Sequence, residues 1–325
     1  MKEKILVAMS GGVDSSVAAL LLKEYGYDVI GGTMKLWSKE ICSFNSSRSC
    51  CNLRSIDEAY SVAERLNIPH YVFDVEHEFK KEVIDYFTNT YFSGRTPNPC
   101  IVCNDKIKWG VFLSKAESMG VSFMATGHYA RIEYDKLINR FLLKEAAYKE
   151  KDQSYVLFKL NQERLGLTIF PLGNYTKHEV RHLAKERGLA VFDKKESQDI
   201  CFILQKNRTS FFSRFSDKIK PGPIVNKEGK VLGEHKGIVF YTTGQREGLG
   251  LASKRPMYVT GIDAGNNIVF VGEIKETKSK SLVAHDVNWI SIAEPEREIK
   301  AQVKISYQNP KAEAVVFPGK DNSAK

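Results

Sequence analysis

Short apolar runs alternate with longer amphipathic stretches over the first two hundred residues of this chain. The apolar runs predict buried strands and fall at 5–8, 28–34, 70–74 and 123–126. The amphipathic stretches predict helices that end near 26, cover 55–66, 78–91 and 104–119, and run from 176 to 188. Ser55 and Glu58 have the spacing of a capping box at the start of one of them. This alternation predicts an α/β fold with a parallel sheet covered on both faces, which binds ligands at the carboxyl ends of its strands.

The pattern changes after residue 203. Pro221, Gly222 and Pro223 interrupt it, and residues 227–230 predict a hairpin turn between the short strands 224–225 and 231–232. From residue 257 onward, short strands are separated by Asn/Gly turns such as 263–267. We therefore predict three domains: an α/β domain over 1–205, a small β-rich central domain over 206–278, and a C-terminal β-barrel-like domain over 279–325 that is expected to be incomplete.

Composition and charge favour a folded protein with a polyanionic partner. The 325 residues are 42% hydrophobic and 27% charged, which excludes a disordered chain. The formal net charge is +9, as expected for a nucleic-acid-binding protein, although a generally basic protein is an equal alternative.

The sequence also predicts the compartment. It contains no apolar run of about 18 residues, which excludes a predicted membrane span. The first strand starts so close to Met1 that we expect no signal peptide, and hence a cytoplasmic protein. In that compartment the six cysteines indicate catalysis, redox chemistry or metal binding rather than a disulfide framework.

The first candidate site is the serine–glycine loop, Ser10-Gly11-Gly12-Val13-Asp14-Ser15-Ser16. It lies between a predicted strand and a predicted helix, where free backbone N–H groups and the helix dipole favour a phosphate. The loop lacks the Gly-Lys-Ser/Thr of a Walker A motif and the G-x-G-x-x-G of a dinucleotide fold. The simpler alternative is a strand-to-helix turn capped by serine.

The second candidate is the thiol segment, residues 94–104, which contains Cys100 and Cys103. Its glycine and two prolines predict an extended loop that delivers both cysteines to the start of a helix. There the helix dipole would stabilise a thiolate. The alternative is half of a structural zinc site, which Cys42, Cys50 and Cys51 would complete.

Other residues have simpler interpretations. Cys201 lies in an apolar, strand-like run, and taken alone it is predicted to be a buried core residue. His128 has either a role beside a nucleotide or a packing role. His178 and His182 are predicted to be surface residues, and the phenylalanines of 211–215 to be core rather than a base-stacking platform.

Six motifs occur in one order: the serine–glycine loop, the Thr-Pro-Asn-Pro-x-x-x-Cys-Asn of the thiol segment, and residues 125–131, 151–155, 199–202 and 244–250. In this the chain resembles the tRNA-specific 2-thiouridylases, bacterial or mitochondrial, from residue 4 to about residue 307. These enzymes belong to the ATP pyrophosphatase superfamily, whose catalytic domain is adenine nucleotide α-hydrolase-like. Members split ATP between its α and β phosphates and activate a carbonyl oxygen as an adenylate.

The resemblance implies a role for particular residues. Those expected to bind ATP are Ala8, Met9, Ser10, Gly11, Gly12, Val13, Asp14, Ser15, Met34 and Gly127, with Asp14 also catalytic and helping to hold Mg²⁺. Those expected to contact tRNA are Asn98, Pro99, Cys100, Lys151, Asp152, Gln153, Ser306 and Tyr307, the first three at the target base. Cys201 would carry sulfur as a persulfide, and Cys103 would release it, as nucleophile or by forming a disulfide with Cys201.

The implied reaction is 2-thiolation of the wobble uridine in tRNAs for glutamate, glutamine and lysine, with sulfur from a cysteine desulfurase or a relay protein. Two positions depart from the family pattern: many relatives have Asp at Cys100, and Arg often precedes the Tyr307 position, where this chain has Ser306. With Cys100, Cys103 and Cys201 all present, a [4Fe–4S] cluster held by three thiolates is an alternative to the persulfide. The rival functions are a small-molecule ligase or amidotransferase with the same loop, and a non-catalytic RNA-binding protein.

Overall fold

The computed structural model describes residues 2–37, 51–195, 200–203 and 208–325. These form two compact units. The first unit comprises Met1–Glu82, Cys100–Glu196 and Val283–Lys325, and the second comprises Val83–Pro99 and Ser197–Leu282. The division into three domains at 205 and 278 stays a prediction.

A five-stranded parallel sheet forms the centre of the first unit. Its strands are β1 (Lys4–Ala8), β2 (Asp28–Lys35), β3 (His70–Asp74), β4 (Phe123–Thr126) and β7 (Thr168–Ile169), in the spatial order β3-β2-β1-β4-β7. The four strands predicted from apolar runs are therefore confirmed. The edge strand β7 was not predicted, because two residues are too few to give a pattern.

Helices cover both faces of this sheet, as predicted. They are α1 (Val13–Glu24), α2 (Cys51–Arg65), α3 (Glu76–Phe79), α5 (Pro99–Val102), α6 (Leu113–Glu117), α7 (Gln162–Gly166) and α8 (Lys177–Glu186). Ile5 and Val7 of β1 belong to the hydrophobic cluster on one face, whereas Leu6 belongs with Trp109 and Phe112 to the cluster on the other. Within the described ranges, no helix combines the length and the apolar character that crossing a membrane requires.

Helix starts were predicted with mixed success. Thr176 caps α8 in a capping box with Glu179, as its sequence indicates. The box predicted at Ser55 is wrong, because α2 begins at Cys51 and runs through Ser55 without a break. Arg54 instead forms an i,i+4 pair with Glu58, 3.1 Å between Nε and Oε1, which uses the carboxylate that the capping box required.

Two helical stretches contain π-helical turns, at Lys80–Ile84 and Cys103–Phe112. The second joins α5 to α6, so the helix of the thiol segment starts at Pro99, earlier than the predicted residue 104. A π-helix is rare because its hydrogen bonds close over five residues, and it changes which side chains share a face.

The antiparallel hairpin of β5 (Ala130–Asp135) and β6 (Arg140–Glu145) was not predicted, because its residues mix polar and apolar types without a clear period. Arg140 on this hairpin donates to the carbonyls of Trp289 (2.7 Å) and Ile290 (3.0 Å). These bonds join residues 283–325 to the rest of the first unit. In that segment β12 (Ile299–Val303) pairs with β13 (Ala312–Val316) as a two-stranded antiparallel sheet.

In its described residues, the second unit has a four-stranded sheet and two short α-helices. The strands are β8 (Gly222–Val225), β9 (Val231–His235), β10 (Tyr258–Asp263) and β11 (Ile268–Gly272), in the order β10-β11-β8-β9. Both predicted hairpins are confirmed. Phe87 of α4 (Asp85–Phe92) packs against Phe211 and Phe212 of α9 (Arg208–Phe212), both buried, so the prediction that this phenylalanine cluster is core is confirmed.

Among the described residues, shorter 3₁₀ segments lie at Lys149–Lys151, Ser154–Leu157, Ala190–Asp193, Ser213–Lys218, Ile238–Phe240 and Ile274–Thr277. The first two follow β6 and contain the predicted tRNA contacts Lys151 and, between them, Asp152 and Gln153.

Candidate active site

The residues predicted to bind ATP lie together at the carboxyl edge of the parallel sheet. Ala8 ends β1 and pairs with Gly32 of β2 on one side and with Thr126 of β4 on the other. Met34 lies two residues beyond Gly32, and Gly127 directly follows β4. The sheet order therefore brings three separate parts of the sequence to the same edge.

The serine–glycine loop is held by its own hydroxyl groups. The Ser10 amide donates to Ser15 Oγ (3.1 Å), and the hydroxyls of Ser15 and Ser16 donate to the Gly12 carbonyl at 3.1 and 2.9 Å. Gly11 has a φ of +68°, and a Cβ there would lie 2.3 Å from the Ser55 carbonyl oxygen. These contacts give the loop a defined shape, which requires glycine at position 11.

Gly127 lies against the first turn of α1. A Cβ at this position would be 2.7 Å from the Asp14 carbonyl carbon and 2.7 Å from the Ser15 amide nitrogen. Since both neighbours are backbone atoms of the serine–glycine loop, a side chain at Gly127 would displace the loop.

Asp14 is the centre of a charged cluster that joins distant parts of the first unit. Lys177 Nζ lies 2.6 and 2.7 Å from its two carboxylate oxygens, and the Tyr129 hydroxyl donates to Oδ1 at 2.7 Å. The Lys177 side chain is only 13% exposed. Sequence analysis missed both partners; the signal for Lys177 was the absence of a lysine from the loop itself, because a phosphate site then needs a cation from elsewhere.

The loop that contains the predicted tRNA contacts Lys151, Asp152 and Gln153 is connected to this cluster. The Gln153 amide oxygen accepts from the Tyr129 backbone N–H (3.0 Å), and the Gln153 N–H donates to the Tyr129 carbonyl (2.8 Å). Asp152 is buried, and its carboxylate accepts from the Ala146 N–H (2.9 Å) and the Ser154 hydroxyl (2.7 Å). Its carboxylate thus shapes the loop, which leaves Lys151 as the charged group of this predicted contact.

The two predicted tRNA segments of the first unit meet, although about 150 residues separate them. The Tyr307 hydroxyl donates to the Asp152 carbonyl (3.4 Å), and the Tyr155 hydroxyl donates to the Ile305 carbonyl (3.2 Å). Lys304 Nζ lies 5.1 Å from the ring centroid of Tyr307 and 5.9 Å from that of Tyr155. We call Tyr155, Lys304 and Tyr307 the aromatic–lysine cluster.

The environment of this cluster suits contact with a partner. Tyr307 is 48% exposed, whereas partial burial raises the pKa of Tyr155. A groove of about 440 Å³ beside it is lined by charged residues of both signs: Lys149, Lys304, Lys311, Glu145, Glu150 and Asp152. Ser306, the other predicted contact here, is half-buried.

The cysteines of the thiol segment differ in position and exposure. Cys100 is exposed in the first turn of α5, and Cys103 is half-buried at the start of the π-helical stretch. Burial raises the pKa of the Cys103 thiol to about 11, against the opposing effect of the Lys108 charge. Protein atoms around Cys100 raise its pKa as well. The prediction of a dipole-stabilised thiolate is therefore wrong, because desolvation raises the pKa of both thiols, including that of Cys100 in the first turn, where the dipole acts.

His128 connects Thr126, at the end of β4, to Lys108. Its Nδ1 lies 2.7 Å from Thr126 Oγ1, and its Nε2 lies 3.4 Å from Lys108 Nζ. Burial, followed by the Lys108 charge, lowers the pKa of His128 well below its usual value. The ring is therefore neutral at pH 7, and it packs between Trp109 and Phe170.

The remaining site residues belong to the second unit. Asn98 is half-buried, and Pro99 is buried as the first residue of α5. Cys201 is exposed in a turn, so the prediction of a buried core cysteine is wrong. Its neighbours take the interior positions instead: Phe202 packs 5.2 Å from the Phe87 ring centroid and Ile203 is buried. Asp199, which precedes Cys201 in its motif, lies outside the described residues.

A bound metal ion needs several donor side chains close together. Among the residues that the structure describes, no three His, Cys, Asp or Glu side chains lie close enough to hold an ion. Cys42, Cys50 and the Cys51 side chain, named for the zinc alternative, lie outside the described residues. Asp14 is the one acidic side chain of the loop, and its carboxylate oxygens, which contact Lys177, are of the type that Mg²⁺ prefers, so the chemistry of this donor fits that ion.

Two solved structures are similar to part of the chain. NMN synthetase from Francisella tularensis has a TM-score of 0.38 and 15% identity, over 63% of this chain and 69% of its own. A 4-thiouridine synthetase in complex with RNA and bound ATP has a TM-score of 0.38 and 17% identity, over 61% of this chain and 44% of its own. Similarity of this degree does not establish a shared fold.

Sequence comparisons are far stronger. A family described as "tRNA methyl transferase HUP domain" matches residues 3–205, and one described as "tRNA methyl transferase PRC-barrel domain" matches residues 210–273. A tRNA-specific 2-thiouridylase MnmA 2 of Thermoanaerobacter sp. is 48% identical over 98% of this chain and 88% of its own length. A tRNA-specific 2-thiouridylase MnmA of Acetivibrio thermocellus is 47% identical over 100% and 91% of the two lengths. This chain belongs to the family of tRNA-specific 2-thiouridylases.

Proposed function

We propose that this protein is an ATP-dependent tRNA 2-thiouridylase that replaces the C2 oxygen of the wobble uridine with sulfur. The observation that carries the proposal is the serine–glycine loop, held in shape at the carboxyl edge of a parallel sheet with Asp14 and Gly127 against it. Full-length similarity to 2-thiouridylases supports the choice of tRNA uridine as the substrate.

Adenylation is the first half of the reaction. The C2 oxygen of uracil is a poor leaving group and must first be activated. It attacks the α-phosphorus of ATP, pyrophosphate leaves, and the oxygen becomes part of an AMP leaving group. We assign nucleotide binding to Ala8–Ser15 with Met34 and Gly127, because backbone N–H groups at the start of α1 can bind phosphate oxygens. Mg²⁺ bound with the nucleotide would neutralise phosphate charge. Asp14 would help to hold that ion.

Sulfur transfer is the second half. A persulfide on Cys201 attacks C2 through its terminal sulfur and expels AMP, which leaves a disulfide between Cys201 and the base. The Cys103 thiolate then attacks Cys201 Sγ, which forms a Cys103–Cys201 disulfide and frees the thiocarbonyl; a thiol reductant supplies two electrons to reset the pair. In the alternative order, Cys103 attacks the persulfide first and releases hydrosulfide as the nucleophile.

A three-thiolate [4Fe–4S] cluster remains the alternative sulfur carrier. Its ligands would be Cys100, Cys103 and Cys201. We favour the persulfide because it needs only Cys103 and Cys201 and no bound metal. Iron analysis of protein prepared without oxygen distinguishes the two carriers.

We assign tRNA binding to both units. Asn98, Pro99 and Cys100 would meet the target base, while Lys151, Gln153, Ser306 and Tyr307 would contact the tRNA body; Asp152 would act by shaping its loop. The substrates would be tRNAs for glutamate, glutamine and lysine. A cysteine desulfurase or relay protein would charge Cys201, in the cytosol, where tRNA and reduced thiols coexist.

The test is mass spectrometry of nucleosides from unmodified glutamate tRNA. The tRNA is incubated without oxygen with this protein, ATP, Mg²⁺, a cysteine desulfurase and cysteine. We expect 2-thiouridine at the wobble position and one AMP for each sulfur incorporated. AMP formation that does not require tRNA would favour a small-molecule ligase, and tRNA binding with no AMP at all would favour a non-catalytic RNA-binding protein.

A further inference from the structure

The serine–glycine loop carries no cation of its own. Residues 9–16 contain one acidic side chain, Asp14, and no lysine or arginine. A triphosphate carries several negative charges, and backbone N–H groups alone do not neutralise them. Mg²⁺ bound with the nucleotide would neutralise part of this charge, and a cationic side chain must come from another part of the fold.

Lys177 reaches the loop from the first residue of α8. Its ammonium contacts both oxygens of the Asp14 carboxylate, at 2.6 and 2.7 Å, and lies 5.9 Å from the Tyr129 ring centroid. With 13% of the side chain exposed, this is a largely buried lysine whose charge is compensated by the loop's acidic group. A flexible four-carbon stem allows the ammonium to exchange one set of anionic oxygens for another.

A second lysine beside the loop has a different environment. Lys194 donates to the Gly11 carbonyl (2.9 Å) and pairs with Glu58 of α2. Its carboxylate partner belongs to a neighbouring helix rather than to the loop, so this lysine braces the loop from outside. The contrast singles out Lys177, whose anionic partner lies in the first turn of α1.

Building on the proposed function, we propose that Lys177 is the cation that binds the pyrophosphate portion of ATP at this loop. Before nucleotide binds, the ammonium is held by Asp14. When the triphosphate arrives, the ammonium bonds to its oxygens, while Tyr129 keeps its hydrogen bond to the carboxylate. Lys177 thereby supplies the charge that Walker A loops obtain from their own lysine.

The experiment measures nucleotide affinity by calorimetry with the full chain. Lys177→Met should weaken ATP binding about 10- to 100-fold, the range expected for loss of charge-assisted hydrogen bonds. AMP binding should remain within about twofold, because AMP lacks the pyrophosphate. Lys177→Arg should retain most of the ATP affinity, and Lys185→Met, an exposed lysine on the same helix, should retain all of it. Equal losses for ATP and AMP, or no loss for either, would overturn the proposal.

A double-mutant cycle distinguishes direct phosphate binding by Lys177 from an indirect effect of Lys177 through Asp14. If Lys177 acts only by holding Asp14, Lys177→Met should have no further effect on ATP affinity once Asp14→Asn is present. If it binds phosphate, the loss should persist in that background. Should Lys177→Met fail to fold, acylation of Lys177 in the unaltered protein decides instead: pyrophosphate should slow it and AMP should not, and equal rates with and without pyrophosphate refute the proposal. Both assays leave the test of thiolation by the unaltered protein independent.

Discussion

The carboxyl edge of the parallel sheet, where we propose that ATP binds and which we call the nucleotide edge, and the thiol segment belong to the same proposed reaction. They differ in how closely their side chains match the chemistry proposed for them. At the nucleotide edge, the serine–glycine loop, Gly127 and the Asp14 cluster are fixed by short hydrogen bonds and backbone contacts. In the thiol segment, burial raises the pKa of Cys103 to about 11, so the thiol is protonated at neutral pH. The partner cysteine, Cys201, belongs to the second unit.

The two half-reactions therefore make different demands on the chain. Nucleotide binding depends on the shape of the serine–glycine loop and on the groups around Asp14. A protonated thiol is a poor nucleophile, so sulfur transfer requires that Cys103 lose its proton.

The largest effect should come from separating the two halves chemically. Cys201→Ser cannot carry a persulfide, so we expect 2-thiouridine formation to fall to background while tRNA-dependent AMP formation stays within roughly threefold of the unaltered protein. Nucleoside mass spectrometry and AMP release from the same reaction measure both. Cys51→Ser serves as a matched cysteine control. Equal loss of AMP and 2-thiouridine would mean that the halves are not separable.

The second prediction concerns Gly127, which packs against the serine–glycine loop and has no side chain to take part in the proposed chemistry. Gly127→Ala would place a methyl group 2.7 Å from backbone atoms of Asp14 and Ser15. We expect ATP affinity to fall about 10- to 100-fold and the free energy of unfolding to fall by about 1–3 kcal/mol, as for overpacking. Calorimetry and denaturant unfolding test this. Gly261→Ala is the control, since its Cβ would have a nearest neighbour at 3.9 Å. Unchanged ATP affinity in Gly127→Ala would show that the loop adapts freely.

The third prediction concerns the protonation of Cys103. With a pKa of about 11, its alkylation by iodoacetamide should rise about tenfold per pH unit from pH 7 and level off only near that value. Because the folded state raises the pKa, it binds the proton more tightly than the unfolded chain does. The resulting stabilisation is complete below the ordinary pKa of 9.0 and is lost as the pH rises toward 11.

Substitution of Lys108 tests the causes of the raised pKa of Cys103, because the Lys108 charge lowers that pKa against the effect of burial. In a π-helix of about 4.4 residues per turn, positions five apart lie near one face, which places Lys108 on the side of Cys103. Lys108→Met should slow alkylation of Cys103 several-fold at pH 8, with Cys100→Ser as the background. Lys106→Met, which removes an exposed pair with Asp105, should leave the rate unchanged. A rate that levels off near pH 8 in the unaltered protein would contradict the raised pKa.

The sequence predicted the nucleotide edge better than the thiol segment, for a physical reason. Strand periodicity and the glycines at 11 and 12 are local signals, and parallel strands bring their carboxyl ends together whatever the details of packing. The pKa of Cys103 depends instead on burial and on a π-helical turn, neither of which leaves a periodic pattern. For the same reason Lys177, 163 residues from Asp14, was not predicted.

Cys201 illustrates a second limit. Its apolar neighbours predicted a buried strand, but Phe202 and Ile203 occupy the interior and leave the cysteine exposed in a turn. An apolar run shows that some of its residues are buried without showing which. The motif resemblance identified Cys201 as functional where the local pattern did not.

The smallest predicted effect concerns the tRNA surface that both halves would share. Lys304 lies over the rings of Tyr155 and Tyr307, and these join the segments around residues 152 and 307. If this aromatic–lysine cluster contacts a tRNA phosphate, Lys304→Met should weaken tRNA binding about two- to fivefold and reduce the slope of log K against log salt by roughly 0.7–0.9. Filter binding between 50 and 200 mM salt measures the slope, with Lys136→Met on the β5–β6 turn as the control.

The salt slope matters more than the affinity, because a lysine that only supports the two tyrosines would change affinity without changing the number of phosphates neutralised. An unchanged slope would therefore assign Lys304 to folding. A reduced slope would place tRNA contact on the first unit, beside the loop whose Gln153 holds Tyr129 and, through it, Asp14. That chain of bonds would give bound tRNA a direct physical connection to the nucleotide edge.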